Sequence, residues 1–444
     1  MFKAILPLSF VVFLRFLGLF IVLPVISLYA TEFGETSAIL LGLAVGGAYL
    51  TQIIFQTPFG ILSDKIDRKK VVMAGLLIFL IGSVICALAD NIYLLILGRF
   101  IQGAGAIGGV VSAQITDLVR EEQRTGAMAI MGGGIFASFT LAMLIGPLIG
   151  GYVGVAWLFW LTALLTLISM LLLALKVPAT PKISYSFEQA PQKSARNRNL
   201  TIMNCSSFLE KMFMTLIFVV IPLCFVNELG AHKEDLWKIY TPAALCGIFA
   251  LAPASILAEK YGRAKLVLGY GVGLFLLAYI LLAIGGAENY LWLFIVGIVL
   301  FFIGFATLEP IMQSLTSKYA KAHERGRALG VFTTYAYAGS FAGGVLGGVL
   351  YHHLGIMWIG IIVAVVCVLW LGSFALLASP TKQKNLYLPI SEYDRSKIST
   401  LESKDGIIEV YTNDTEGVIV LKYDSDIIDT QQAQELASTI KKPQ

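Results

Sequence analysis

The chain is 444 residues long, 57% hydrophobic and only 14% charged, with a formal net charge of +4. Soluble domains carry about 25% charged residues, and a surface this apolar would aggregate in water, so the expected solvent is a bilayer. The small positive charge is scattered over short separate loops, which argues against a nucleic-acid partner.

A helix crossing the hydrocarbon core needs about 20 apolar residues. Runs of that kind lie at 4–30, 38–59, 71–89, 92–117, 127–150, 155–176, 201–226, 236–257, 266–286, 290–316, 328–351 and 355–379, which predicts twelve spans. Residues 177–200 interrupt them with Pro, Lys, Arg, Ser and Gln, the composition of a linker between two six-span halves, 1–176 and 201–380. The first run is too long for a signal-peptide core and has no small-residue cleavage site. Cys86, Cys205, Cys224, Cys246 and Cys367 each sit in an apolar run without a C-x-x-C pair, so they read as buried free thiols. The four histidines fall in loops or helix ends, and no metal site and no cofactor are expected.

Basic residues fix an orientation. Lys65, Arg68, Lys69 and Lys70 follow span 2, and Arg120 and Arg124 follow span 4. Lys182, Lys193, Arg196 and Arg198 lie in the linker. Lys260, Arg263 and Lys265 follow span 8, and Lys318, Lys321, Arg325 and Arg327 follow span 10. The alternate loops have almost none beyond Lys233 and Lys238. Even-numbered spans should therefore end in the cytoplasm, with both termini there and the bundle in the inner membrane.

The halves repeat. GILSDKIDRKK (60–70) matches SILAEKYGRAK (255–265), placing Asp64 on Glu259, Lys65 on Lys260 and Arg68 on Arg263. Two halves in one orientation imply a pseudo-two-fold axis along the membrane normal, a repeat architecture of secondary transporters. Beyond residue 386 the composition changes. NLYLPIS reads as a strand and EYDRSKISTLES as a helix. GIIEVYTN and GVIVLKYD form a hairpin, and a capped helix follows from Asp429 or Thr430. The order β-α-β-β-α over 386–444 is that of a ferredoxin-like α+β domain without its last strand.

Four segments carry a family resemblance. GILSDKIDRK (60–69) resembles the loop motif G-x-L-S/A-D-R/K-x-G-R-R/K, with Asp67 where the motif has glycine, so the turn is open to local change. LILGRFIQGAGA (95–106) resembles a span-4 motif with its arginine at Arg99. AMLIGPLIGG (142–151) resembles the span-5 antiporter motif, with Ala142 replacing its first glycine. FLGLFIVLP (16–24) resembles the span-1 pattern. Together, in order and at the right spans, they make residues 1–380 resemble the major facilitator superfamily, in its twelve-helix drug:proton antiporter branch. The tail resembles that of YajR-type transporters by topology. The resemblance implies an all-α membrane protein of two six-helix halves that works by alternating access. It also implies that the loop aspartate and arginine, Asp64 and Arg68, pair with an acid such as Asp117 at the same depth. Their second-half counterparts would be Glu259 and Arg263.

The residues themselves point to further sites. A charge inside a span costs several kcal/mol, so function or pairing is the default. The candidates are Arg15, Arg99, Glu210 with its neighbour Lys211, and Glu309. Arg99 and Gln102 share a helix face, as do Glu309 and Gln313. Arg99 is expected to face the space between the halves, with a buried hydrogen-bonded tie as the alternative. Glu210 reads as near the cytoplasmic end, beside Lys211, and either it or Glu309 could carry a proton. Gln52 and Gln56 suit either cavity lining or interhelical hydrogen bonds. Gly146, Pro147, Gly150 and Gly151 suggest a bent, close contact with the other half that seals the outer side, or ordinary glycine packing.

The sum is a secondary transporter that is not an enzyme: a proton-coupled exporter of small amphipathic or apolar molecules, with protons and the lipid bilayer as its other partners, acting as a monomer. An exporter or uniporter of sugars or amino acids is the alternative within transport. A membrane receptor is the alternative outside it.

Overall fold

In a computed structural model the chain is described over residues 2–34, 36–119, 121–177, 197–320, 325–378, 383–394, 398–402, 404–413, 417–425 and 427–441. Among these, ten helices are long and apolar enough to cross a membrane. One of them, Arg325–Phe374, is two helices in tandem, because Gly355 adopts φ 74° and ψ 176° between them. Glycine takes that backbone without strain. The shorter apolar helix Phe2–Phe20 completes twelve spans. They are α1 (Phe2–Phe20, resuming at Ile26–Thr31), α2 (Ala38–Lys65), α3 (Arg68–Ala87), α4 (Ile92–Ala104, resuming at Gly108–Asp117), α5 (Glu121–Tyr152) and α6 (Val155–Lys176). The second set is α7 (Arg198–Asn227), α8 (Leu236–Ser255, closed by a π turn at Ile256–Lys260), α9 (Ala264–Ala287), α10 (Leu291–Tyr319), α11 (325–354) and α12 (356–374).

Short polar residues start the helices where the sequence places turns, each giving an unpaired helical N–H an oxygen. Ser37 caps α2, Asn91 caps α4 and Asn197 caps α7. Asp67 caps α3, its carboxylate accepting from Lys69 N at 2.9 Å. The departure from the motif's glycine thus gives α3 a cap. Helix α2 runs to Lys65, several residues past the predicted end, so Asp64 and Arg68 lie across a tight turn rather than in a loop.

Within the first half, α1 packs on α5 and α6, and α4 packs on α2 and α3. Within the second, α7 lies on α11, and α10 packs on α8 and α9. The bundle has a basic end, with the α2–α3 and α8–α9 turns, and a far end, with the α1–α2, α7–α8 and α11–α12 connections. The two halves meet mainly through α2 against α11 and α5 against α8. At α2–α11 the contact is glycine on glycine. A Cβ on Gly344 would come 2.8 Å from Gly46 Cα, and one on Gly46 would lie 3.0 Å from Phe341 O. Such small surfaces let backbones approach closely where hydrophobic association is weak. At the far end Lys233 Nζ meets Glu32 Oε1 at 3.0 Å, and Thr241 Oγ1 donates to Met143 O at 3.4 Å across the halves. Nearer the basic end, Gly132 and Gly133 of α5 and Gly326 and Gly330 of α11 have open space where a Cβ would stand. The ion pair and the side-chain hydrogen bond described between the halves thus both lie at the far end.

After α12 come β1 (Gln383–Pro389), α13 (Ile398–Glu402), β2 (Ile407–Asn413), β3 (Val418–Asp424) and α14 (Thr430–Ser438). The sheet order is β1-β3-β2, antiparallel throughout. This is the ferredoxin-like arrangement without its fourth strand, and it begins at Gln383 rather than 386. Leu388, Leu401, Val410, Ile419, Leu421, Ala433 and Ala437 form its own core. Residues 178–196 of the predicted linker, with Lys182, Lys193 and Arg196, lie outside the described residues, as do Arg120, Lys321 and His323. The cysteines are free, but not all are buried as expected: Cys246 is half-buried and Cys205 is exposed. A thiol facing lipid needs no protein neighbour.

Candidate functional site

The middle of the second half holds a charge cluster that the sequence shows only in part. Glu210 and Lys211 come from α7 and Glu309 from α10. Lys211 Nζ lies 3.5 Å from Glu210 Oε2 and in direct contact with Glu309 Oε2. The ammonium also sits 4.5 Å from the Phe305 ring centroid, a cation–π contact one helical turn before Glu309. Glu210 is fully buried and lies about three turns into α7, which starts at Arg198. Lys211 is a candidate in the sequence, but its bond to Glu309 is not. Its adjacency to Glu210 suggests a local pair in sequence, and only the fold brings Glu309 to it from 98 residues away. Glu309 is 29% exposed, and Gln313, one turn nearer the basic end, is exposed.

Across the inter-half contact, α2 supplies Tyr49 and Gln52, both buried. Tyr49 stacks on Tyr337 of α11, with centroids 6.3 Å apart. Tyr337 lies within electrostatic reach of Arg15, Lys211 and Glu309, so it stands between the two halves' charges. Gln56, one turn on, is half-buried beside Gly109 of α4.

Arg99 does not face the space between the halves. It is fully buried behind α2, donating from Nε to Ala44 O at 3.1 Å, from Nη2 to Val45 O at 3.3 Å and from Nη1 to Gln102 Oε1 at 2.8 Å. Gln102 passes its amide on to Ser83 Oγ at 2.9 Å. Arg99 and Gln102 therefore tie α4 to α2 and α3. A carbonyl inside a helix keeps a second lone pair, which a planar multi-donor side chain can use where small residues let it approach.

On the far side of Phe305 an aromatic plug joins the halves. Phe139 of α5 is buried among second-half rings, 5.1 Å from Phe305, 6.0 Å from Phe218 and 6.0 Å from Phe302. The antiporter motif works differently from expectation. A Cβ at Gly146 would press on the α1 break, 2.9 Å from Pro24 Cγ, and one at Gly150 would meet Val25 at 3.0 Å, both in the same half. Pro147 is buried with them. Gly151 alone of the four faces the other half, where a Cβ would lie 3.0 Å from Glu234 Cα. The glycines shape α5 to the bend of α1. The inter-half seal is carried by Gly42 and Gly46 against Gly344 and Gly348, a small-x-x-x-small pattern on both helices that was there to be read.

At the basic end Arg68 Nε lies 2.9 Å from Asp117 Oδ2 and its Nη2 lies 3.5 Å from Asp64 Oδ1. Lys69 Nζ donates to Ala174 O and Val177 O at 3.0 and 2.8 Å, holding the end of α6. The second-half counterpart departs from the repeat. Glu259 Oε1 accepts from Ser314 Oγ at 3.1 Å, and Arg263 forms no ion pair among the described residues. The π turn at Ile256–Lys260 shifts Glu259 off the register that Asp64 has in α2.

Comparison with known proteins agrees with this architecture. The Major Facilitator Superfamily pattern matches residues 8–204 and 203–388. The inner membrane transport protein YajR of Escherichia coli (strain K12) is 34% identical over 426 residues, 93% of this chain and 92% of that one. The class E tetracycline resistance protein of Escherichia coli is 27% identical over 398 residues, 83% of this chain and 92% of that one. In structure, the D-xylose–proton symporter superposes with a TM-score of 0.71 at 15% identity, over 85% of this chain and 98% of that one. With twelve spans in two halves and a matching sequence pattern across both, the chain is a multi-pass membrane protein that belongs to the Major Facilitator Superfamily of transporters.

Proposed function

We propose that the protein is a proton-coupled exporter of small amphipathic molecules that works by alternating access, with Glu210, Lys211 and Glu309 as its proton site. The carrying observation is the composition of that cluster. Two carboxylates and one ammonium leave one net negative charge inside a membrane, where charge is costly. A single proton neutralises it. Glu309 is the exposed member, so the proton enters there. When it does, Lys211 loses one of its two partners, and the Phe305 ring it rests on is the one that packs on Phe139 of the other half. Protonation is thereby connected to the contact that holds the far end shut.

Positive charge at the basic end makes that end cytoplasmic, with both termini inside and the conformation described here open inward. Substrate enters from the cytoplasm, and the halves rock about α2–α11 and α5–α8. A proton entering from outside then neutralises the cluster, and the substrate is released. One proton crossing about 150 mV supplies ~3.5 kcal/mol, with ~1.4 more per pH unit. That supports a roughly thousandfold gradient, so one proton per molecule suffices. The relation to a tetracycline resistance protein favours export. A single chain carries both halves, consistent with a monomer. The test is extrusion of a fluorescent amphipathic dye from proteoliposomes with an imposed pH gradient. Extrusion abolished by a protonophore supports the proposal. Flux indifferent to the protonophore marks a uniporter, and no flux a receptor.

A further inference from the structure

Among the described residues two arginines are completely buried in the first half, and only one is satisfied. Arg99 places all three nitrogens on oxygen. Arg15 makes a single long bond, from Nη2 to Gly105 O at 3.4 Å, where α4 is broken. Its Nε and Nη1 are buried without a hydrogen-bond partner. Phe16 and Phe79 lie 4.8 and 5.1 Å from its guanidinium carbon. Rings cover the faces of a guanidinium, while its N–H groups point outward in its plane. No carboxylate pairs with Arg15 among the described residues. A charged arginine at the middle of a membrane span costs at least ~2.5–3.5 kcal/mol before orphaned donors are counted, and a purely structural tie would look like Arg99.

The neighbours of Arg15 share its condition. The Tyr49 hydroxyl is buried and without a partner, and the buried Gln52 amide, one turn on along α2, has no close partner beyond the Tyr337 hydroxyl. Tyr49 and Tyr337 both lie within electrostatic reach of Arg15. Tyr337 comes from the other half, so the cluster borders the inter-half contact. It offers one uncompensated positive charge, several N–H and O–H donors and flanking aromatic rings.

We propose that Arg15, Tyr49 and Gln52 form an anion subsite, and that the transported substrate carries a carboxylate-type group on an apolar body. The proposal rests on the chain being a transporter, but on neither its proton coupling nor its direction. A guanidinium matches a carboxylate in charge and planarity. The phenol and amide add donors, and Phe16 and Phe79 supply the apolar wall. The charge cluster of α7 and α10 remains free for the proton.

The test uses the purified full-length protein in detergent and four probes: benzoate, benzamide, benzylamine and sodium chloride at matched ionic strength. The expected result is that benzoate raises the thermal unfolding midpoint of the wild type, and that benzamide and chloride do not. Arg15→Gln should weaken benzoate at least tenfold. Because that change can lower stability by itself, Tyr49→Phe and Gln52→Leu provide a second arm, each weakening benzoate severalfold. Glu309→Gln should leave benzoate binding intact, which separates this proposal from the proton reading. The proposal is overturned if benzylamine stabilises and benzoate does not, if chloride reproduces the benzoate effect, if no probe shifts the midpoint, or if Arg15→Gln responds like the wild type.

Discussion

Arg68 Nε meets Asp117 at 2.9 Å, so the α2–α3 turn is fastened to the end of α4 within the first half. The ion pairs are internal to the first half, so parting of the halves at that end need not break them. Their proposed role is to keep α2, α3 and α4 moving as one body. Arg68→Lys keeps the charge and the topology but loses the planar fork that reaches Asp64 and Asp117 together. Arg68→Lys and Asp117→Asn should each slow dye extrusion about tenfold, equivalent to the ~1.4 kcal/mol scale of a charge-assisted hydrogen bond. Full-rate extrusion by both variants would reduce the cluster to a topological anchor.

The far-end seal should be the most sterically sensitive place in the bundle. Gly344 of α11 faces Gly46 of α2 with no room for a side chain. Gly344→Leu should prevent far-end closure, abolish transport and make a cysteine placed at Gly42 accessible to a membrane-impermeant thiol reagent from the far side. Normal transport by Gly344→Leu would show that the halves do not close through this contact.

Phe139 contributes a ring from the first half to an aromatic plug in the second. Truncating a buried phenylalanine costs ~3–5 kcal/mol and leaves a cavity. Phe139→Ala should raise passive proton leak through proteoliposomes severalfold while dye binding persists. A leak equal to wild type would mean the plug does not seal.

The tail has its own core, built on Leu388, Val410, Ile419 and Leu421. Removal of 383–444 should leave a folded, membrane-inserted bundle by size-exclusion profile, with changed transport rate. The cut belongs before Gln383, since β1 pairs with β3 along its whole length from Gln383 to Pro389. Loss of membrane insertion would make the tail part of the bundle's folding.

Much of this was legible in the sequence, and the remainder has identifiable causes. Span number, the break into halves and the order of tail elements follow from apolar run length and alternation, which are local signals. So does the closeness of Asp64 and Arg68, four apart across one turn. What local patterning could not give was partnership across the fold. Lys211 finds Glu309 because α7 and α10 pack together. Arg99 turned from an expected cavity residue into a tie because carbonyls of Ala44 and Val45 happen to face it. The repeat between Arg68 and Arg263 is real in sequence but unequal in structure, since a π turn and Ser314 alter the second copy. The glycine rows Gly42/Gly46 and Gly344/Gly348 are a local small-x-x-x-small signal of the kind that marks close helix contact.

The central claim is that the Glu210–Lys211–Glu309 cluster carries the proton. Its direct test is the pH dependence of dye extrusion in proteoliposomes, measured for wild type, Glu309→Gln and Glu210→Gln with membrane potential clamped. Wild-type extrusion should steepen as the outside is acidified, because protonation from that side releases substrate. Glu309→Gln mimics the protonated carboxyl permanently, so it should still exchange dye but lose that pH dependence and the accompanying proton flux. If both single variants drive proton flux with the wild-type pH profile, the cluster is not the coupling site and the account is wrong.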